Sequence, residues 1–189
     1  EEVLTAGEGK PIKNIHVSAG GQVAIGELML TRYGLEGGAI YQLGTALRGM
    51  EQPAIAIDFK PTFTREQLVV KMESVRRDFL KEATVRWKLG EPAVAILSRG
   101  TYQDAESLAR EVKHCVIPLT GPRPIDEAIS SAGGVRWSEL DADLMVKKLP
   151  GLFVAGEMID WEAPTGGYLM QGCFASATRA AEAAAGRLV

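Results

Sequence analysis

Strand-like and helix-like periodicities alternate along this chain in a clear order. Residues 13–17 and 22–25 are short β-prone runs with Gly20–Gly21 between them, the pattern of a tight hairpin. Leu28, Leu30 and Tyr33 continue the extended pattern until Gly37–Gly38 interrupts it. Ile40, Leu43 and Leu47 then recur at helical spacing, which predicts a helix over 39–47. Residues 54–59 alternate again, and Pro61 ends that strand.

From residue 62 to 113 the period is helical throughout. Thr64 followed by Gln67 is a capping-box start, and Leu68, Val69, Met72 and Val75 follow it. A second helix is predicted over 79–89 with Gly90 as its C-cap, a third from Pro92 to about Ser98, and a fourth over 104–113. The block reads as a four-helix insertion between β segments that pair with one another. Strand character returns at 115–119. The segment TGPRP, 120–124, is a boundary or rigid turn. Residues 125–130 and 135–137 are read as strands, and Met145–Val146 as the start of one more.

The most distinctive stretch is KKLPGLFVAGEMIDWEAPTGGYLMQG, 147–172. Residues 152–155 form an apolar run with the look of a buried strand. Gly156 ends the run, and two carboxylates follow, Glu157 and Asp160. A turn-rich segment with Pro164 and Thr165 leads to Gly166–Gly167, which open an alanine-rich helical pattern reaching about residue 188. Open α/β sheets bind ligands at the carboxyl ends of strands and the N-termini of helices. A carboxylate there accepts hydrogen bonds from a sugar or ribityl hydroxyl. The free amides of Gly167 and Tyr168 can face an anionic or electron-rich group. Read without further context, Glu157 and Asp160 are equally compatible with solvated loop carboxylates, and Gly133–Gly134 with a plain turn.

The stretch 149–171 resembles the C-terminal signature of the bacterial NAD(FAD)-utilising dehydrogenases and bile-acid reductase-like flavoproteins: AGE, then an Asp, then GGY with Gln171 beyond it. GELMLTRYGLEGGAIYQL, 26–43, and AISSAGGV, 128–135, resemble the same family, so the likeness extends over nearly the whole chain. The resemblance implies an FAD-dependent oxidoreductase, moving hydride or electrons between a reduced nicotinamide, NAD(P)H, or another donor and a small molecule. It puts Gly156, Glu157 and Asp160 at the ribityl side of FAD, and Gly133 and Gly134 beside the isoalloxazine. It puts Gly166, Gly167, Tyr168 and Leu169 at the pyrimidine edge. Leu169 stands where many relatives carry Asn, so only backbone contacts transfer there.

The resemblance also implies that this chain is the C-terminal part of a protein about twice as long. The sequence has no GxGxxG; GEGKPI, 7–12, ends in Ile12 where the third glycine belongs. The expected partner is therefore an N-terminal FAD-binding half. Without it the chain is expected to hold FAD poorly, to be inactive and to self-associate. The implied fold is α/β (α+β by strict layer count): a β-rich region with one helix at 1–61, the helical insertion at 62–113, and at 114–189 the return strand with the C-terminal βα part of a glutathione-reductase-like FAD domain.

Composition narrows the choice further. Apolar residues at 46% support a packed core, and a net charge of −3 argues against nucleic acid or anionic membrane as partners. Two cysteines without CxxC spacing, no metal-ligand cluster, no apolar run of about 20 residues and an acidic N-terminus point to a reducing cytoplasm. Cys173, His16 and His114 are read as structural. Trp137 and Trp161 are read as core residues or neighbours of a cofactor. No residue presents itself as an acid or base catalyst. The competing reading is a cofactor-free folded fragment or interaction domain.

Overall fold

A computed structural model describes residues 7–163 and 167–187. The chain is of mixed α/β type and divides into two compact units, Glu1–Gly121 and Pro122–Val189. Strand 115–118 falls in the first unit. The cause is backbone pairing: this strand hydrogen-bonds to the strand at 54–58.

The first unit is a five-stranded antiparallel sheet with helices on one face. Its strands are β1 (Pro11–Ala19), β2 (Gln22–Thr31), β3 (Gly34–Glu36), β4 (Ala54–Asp58) and β5 (Cys115–Pro118), in the order β3-β2-β1-β4-β5. β1 and β2 form the expected hairpin, and Gly20 and Gly21, at φ 54 and 79, make the turn. Both angles are positive, as a two-residue turn that matches strand twist requires. Ile15, Val17, Leu28, Leu30, Ile55 and Ile57 all point inward and are essentially fully buried. The opposite face leaves Val23, Ile25 and Val116 exposed.

Six short helices with described bounds accompany the sheet. The helix expected over 39–47 is two, α1 (Gly38–Gln42) and α2 (Gly44–Arg48). Leu43 (φ −91, ψ 1) lies between them, its N–H bonding three residues back to Ile40, and Gly44 gives the chain no reason to resist the break. The insertion holds the four expected helices: α3 (Arg65–Val70), α4 (Phe79–Arg86), α5 (Glu91–Leu97) and α6 (Ala105–Lys113). The Thr64–Gln67 capping box is formed, and Asp104 with Ser107 makes a second. The segments on either side pair, with Ile55 opposite Ile117 and Ile57 opposite Cys115.

Gly90 does not close α4. Trp87 is the C-cap, and the left-handed position falls to Lys88 at φ 51. Leu89 N–H bonds back to the Thr84 carbonyl at 3.2 Å, and this turn sends both Trp87 and Leu89 into the core. The Trp87 indole N–H donates to the Leu68 carbonyl at 3.0 Å, tying the end of α4 to α3. Gly90 instead N-caps α5. Lys113, at the end of α6, reaches Asp58 at 2.6 Å and the carbonyls of Lys60 at 3.0 Å and Phe63 at 2.7 Å, which fastens the insertion to the end of β4.

Among its described residues the second unit contains a single long helix, α7 (Tyr168–Ala185), and otherwise loops and 3-10 turns. None of the four expected strands forms a ladder: 135–137 makes one bridge, Val135 to Ile159, before a 3-10 turn at Trp137–Glu139, and Met145 and Val146 make one isolated bridge each. Residues 125–130 hold a 3-10 turn at Ile125–Glu127, with Ile125 and Ile129 exposed by 75% and 87%. Pro122 and Pro124 remove backbone donors just ahead of it, and an Arg123–Glu127 ion pair at 2.6 Å closes the turn locally. Residues 152–155 make one isolated antiparallel bridge, Met145 to Phe153, in place of a strand. Only Val154 of the four is buried, and Leu152 is exposed. The run has a partner on one side and, among the described residues of its unit, no second ladder to make it central. The core is small: Leu140, Leu144, Val154, Ile159 and Ala180.

Candidate functional site

The second unit brings most of the sequence-nominated residues together. The loop carrying Gly133 and Gly134 runs beside the loop carrying Glu157 and Asp160. Val135 N–H donates to the Met158 carbonyl at 2.8 Å, and Asp160 N–H donates to the Val135 carbonyl at 2.9 Å. Gly134 lies at the closest approach. Its φ is 137, and a Cβ there would stand 2.7 Å from the Met158 carbonyl oxygen. Glycine is thus required at 134 for loop to meet loop. At Gly133 (φ 97) a Cβ would meet nothing within 4 Å, so its open side is free for a flat group to approach.

Gly156 is a buried junction. Its N–H donates to Ser176 Oγ on α7 at 2.9 Å, and its carbonyl accepts from the Trp161 indole N–H at 3.2 Å and from Ile159 N–H at 3.1 Å. Its φ is 68, and a Cβ would lie 3.3 Å from Cys173 Sγ. The backbone polar groups of Gly156 are therefore spent inside the protein. Gly156 shapes the turn that presents the next residue.

That next residue, Glu157, is exposed. Its carboxylate accepts a hydrogen bond of 2.6 Å from Ser130 Oγ through Oε1. Among the described residues it has no other hydrogen-bond or ion-pair partner, so Oε2 remains an open acceptor. The Asp160 carboxylate is also exposed and makes no side-chain hydrogen bond among the described residues. Another carboxylate of the unit is of a different kind. Glu139 is held below the usual carboxylate range by its hydrogen bond and ion pair with Lys148 at 2.8 Å.

Gly166 lies outside the described residues. Gly167 is the N-cap of α7 with no side-chain cap, and Tyr168 at the first position is exposed. The first amides of an uncapped helix have no internal acceptor, and the helix dipole adds partial positive charge at that end. The helix is fixed to the Gly156 turn by two contacts. One is the Ser176 hydrogen bond. The other is the Trp161 ring, which packs so closely on Gly172 that a Cβ there would fall 2.8 Å from Cζ2. Gly172 is four residues from Tyr168, or about 6 Å along the axis. Trp161 is a core clamp in this arrangement, and Cys173 is a half-buried free thiol.

Sequence reasoning missed Ser130 and Ser176. The spacing of Gly172, Ser176 and Ala180, four apart on one helix stripe, was the available signal for the second. Nothing local marked Ser130.

Three further observations limit the chemistry. Among the described residues no group of His, Cys, Asp and Glu is placed to hold a metal ion. No helix among them is long and apolar enough to cross a membrane. The hydroxyl–carboxylate pair of the assembled loops, Ser130 with Glu157, has no imidazole in its unit, whose sequence contains no histidine.

Comparison with known proteins agrees with the motif reading. The chain is 28% identical over 183 residues to the 3-dehydro-bile acid delta(4,6)-reductase of Clostridium scindens, an alignment covering 86% of this chain and 44% of that enzyme. The chain thus spans less than half the length of the relative it matches. The sequence model of the HI0933-like protein Rossmann domain matches residues 65–183, more than half of the chain. This chain belongs to the HI0933-like Rossmann-domain family and is related to the bile-acid reductase-like flavoproteins.

Proposed function

We propose that this chain contributes the ribityl-side contacts of an FAD site in an oxidoreductase that acts on a small molecule, with a reduced nicotinamide or another reductant as donor. The observation that carries the reading is Glu157: an exposed carboxylate at the end of a glycine-shaped turn, held by one hydroxyl and open on its other oxygen. Such a group accepts from a ligand hydroxyl without an internal ion pair to break. Family membership and the reductase relative support the flavin as the ligand.

The residues present fit that cofactor. Glu157 and Asp160 offer acceptors to ribityl hydroxyls. The open face of Gly133 admits a flat ring. The amides at Gly167, Tyr168 and Leu169, with no side-chain cap among the described residues, suit the electron-rich pyrimidine edge, where a helix N-terminus favours negative charge. Gly156 serves the site indirectly, by setting the turn. Redox chemistry is supplied by the flavin when it is bound. The chain's own groups bind, orient and polarise. With no GxGxxG in the sequence, the pyrophosphate is held by polypeptide outside these residues, and the exposed Met170 and Phe174 on α7 suit burial against it.

The test is the intact protein. It should release FAD on denaturation, identified by mass spectrometry. Glu157→Gln should weaken FAD affinity by about 5- to 100-fold, the effect of losing a charged acceptor from a ligand hydrogen bond. A colourless protein without flavin would favour a cofactor-free interaction unit. Unchanged affinity in the variant would remove Glu157 from the site.

A further inference from the structure

We infer that Ser130 is a positioning residue for the flavin site, acting by fixing the Glu157 carboxylate. This rests on the reading of Glu157 given above and adds a second residue to it. The observation is the 2.6 Å hydrogen bond from Ser130 Oγ to Glu157 Oε1, made between loops 27 residues apart in sequence.

Three features make this contact more than a chance surface pairing. The two loops are held in register by the hydrogen bonds at Val135, to the Met158 carbonyl and from Asp160 N–H, and by the contact that only glycine permits at 134. Ser130 and Glu157 thus face each other across a fixed gap. Second, Glu157 has no cation beside it among the described residues, so the hydroxyl alone restrains the side chain. An exposed glutamate otherwise samples many rotamers, and ordering one costs binding free energy unless it is ordered beforehand. Third, the geometry uses one carboxylate oxygen and leaves the other free. Ser130 orients the acceptor without occupying it.

The segment 128–135 therefore serves the site in two distinct ways. Gly134 brings the loops together, and Ser130 aims the carboxylate.

A double-mutant cycle on the intact protein tests this, reading FAD affinity by fluorescence titration, with an apoprotein melting curve for each variant. Ser130→Ala should weaken FAD binding about three- to tenfold, the usual effect of one lost hydrogen bond. Ser130→Thr, which keeps the hydroxyl, should restore most of it. In the Glu157→Gln background, Ser130→Ala should cost much less than it does alone, because the acceptor it aims has already lost its charge. Equal losses in both backgrounds would overturn the proposal by showing that Ser130 acts without Glu157. An unchanged affinity in Ser130→Ala, beside a weakened Glu157→Gln, would overturn the proposal and leave Glu157 a ligand. If neither variant changes affinity, the Glu157 reading fails as well. A structural role alone would lower the melting temperature and leave the cycle additive.

Discussion

The two units of this chain reach order by different means. In Glu1–Gly121 every strand has a ladder neighbour, helices cover one sheet face, and Ile15, Val17, Leu28, Ile57 and Leu108 are wholly buried. In Pro122–Val189 the buried core is five residues and the loops are long. Individual contacts hold them: Ser176 on Gly156, Trp161 on Gly172, Gly134 against Met158. All the candidate cofactor residues lie in this second unit. Burial of apolar surface is non-directional and tolerates small shifts, whereas a hydrogen bond or a glycine contact fixes one geometry. The unit richer in burial is suited to stability. The unit richer in single directional contacts is suited to presenting a ligand site on loops.

The largest expected effect breaks the first unit. Leu68 is fully buried, and its carbonyl receives the Trp87 indole N–H. Leu68→Ala should destabilise it by about 2–5 kcal/mol, from lost transfer free energy plus a residual cavity. Urea unfolding followed by Trp fluorescence measures it. A loss under about 1 kcal/mol would mean that this core collapses around the gap and is less tightly packed than its burial implies.

A smaller effect should appear in the second unit and stay local. Gly134→Ala places a Cβ against the Met158 carbonyl at a φ that disfavours any side chain. It should cost about 1–3 kcal/mol of backbone strain. The loss should show as faster hydrogen exchange at Val135 and Asp160, with the β1–β2 amides unchanged. Matching changes in both units would show that they unfold together.

The smallest effect sharpens the contrast through the two cysteines. Burial pushes the Cys115 thiol up to about 12, and its hydrogen bond and proximity to Glu111 add to this. Cys173 is half-buried beside Gly156. Iodoacetamide on the native protein near pH 8 should therefore modify Cys173 and spare Cys115, as read by peptide mass spectrometry. The linkage has a definite sign. The raised folded pKa of Cys115 gives stability that is fully present below the ordinary thiol value of about 8.5 and is lost as pH rises toward about 12. Early labelling of Cys115 would mean that the β4–β5 edge opens readily.

Much of this molecule was legible because its signals are local. The Gly20–Gly21 hairpin, the Thr64 capping box, the four helices of the insertion and the glycine-carboxylate order at 156–160 depend on residues within a few positions of one another. Backbone sterics and helical spacing act over that range. Tertiary structure decided whatever needed a partner from elsewhere in the chain. Residues 125–130 and 152–155 read as strands, yet a strand needs a neighbouring ladder and the described residues of their unit provide only isolated bridges. Lys88 took the left-handed position that Gly90 was suited for, because Trp87 and Leu89 both had core to enter. Ser130 came to Glu157 only through the pairing of two loops, and a side-chain hydrogen bond across 27 residues leaves no spacing in the sequence to read.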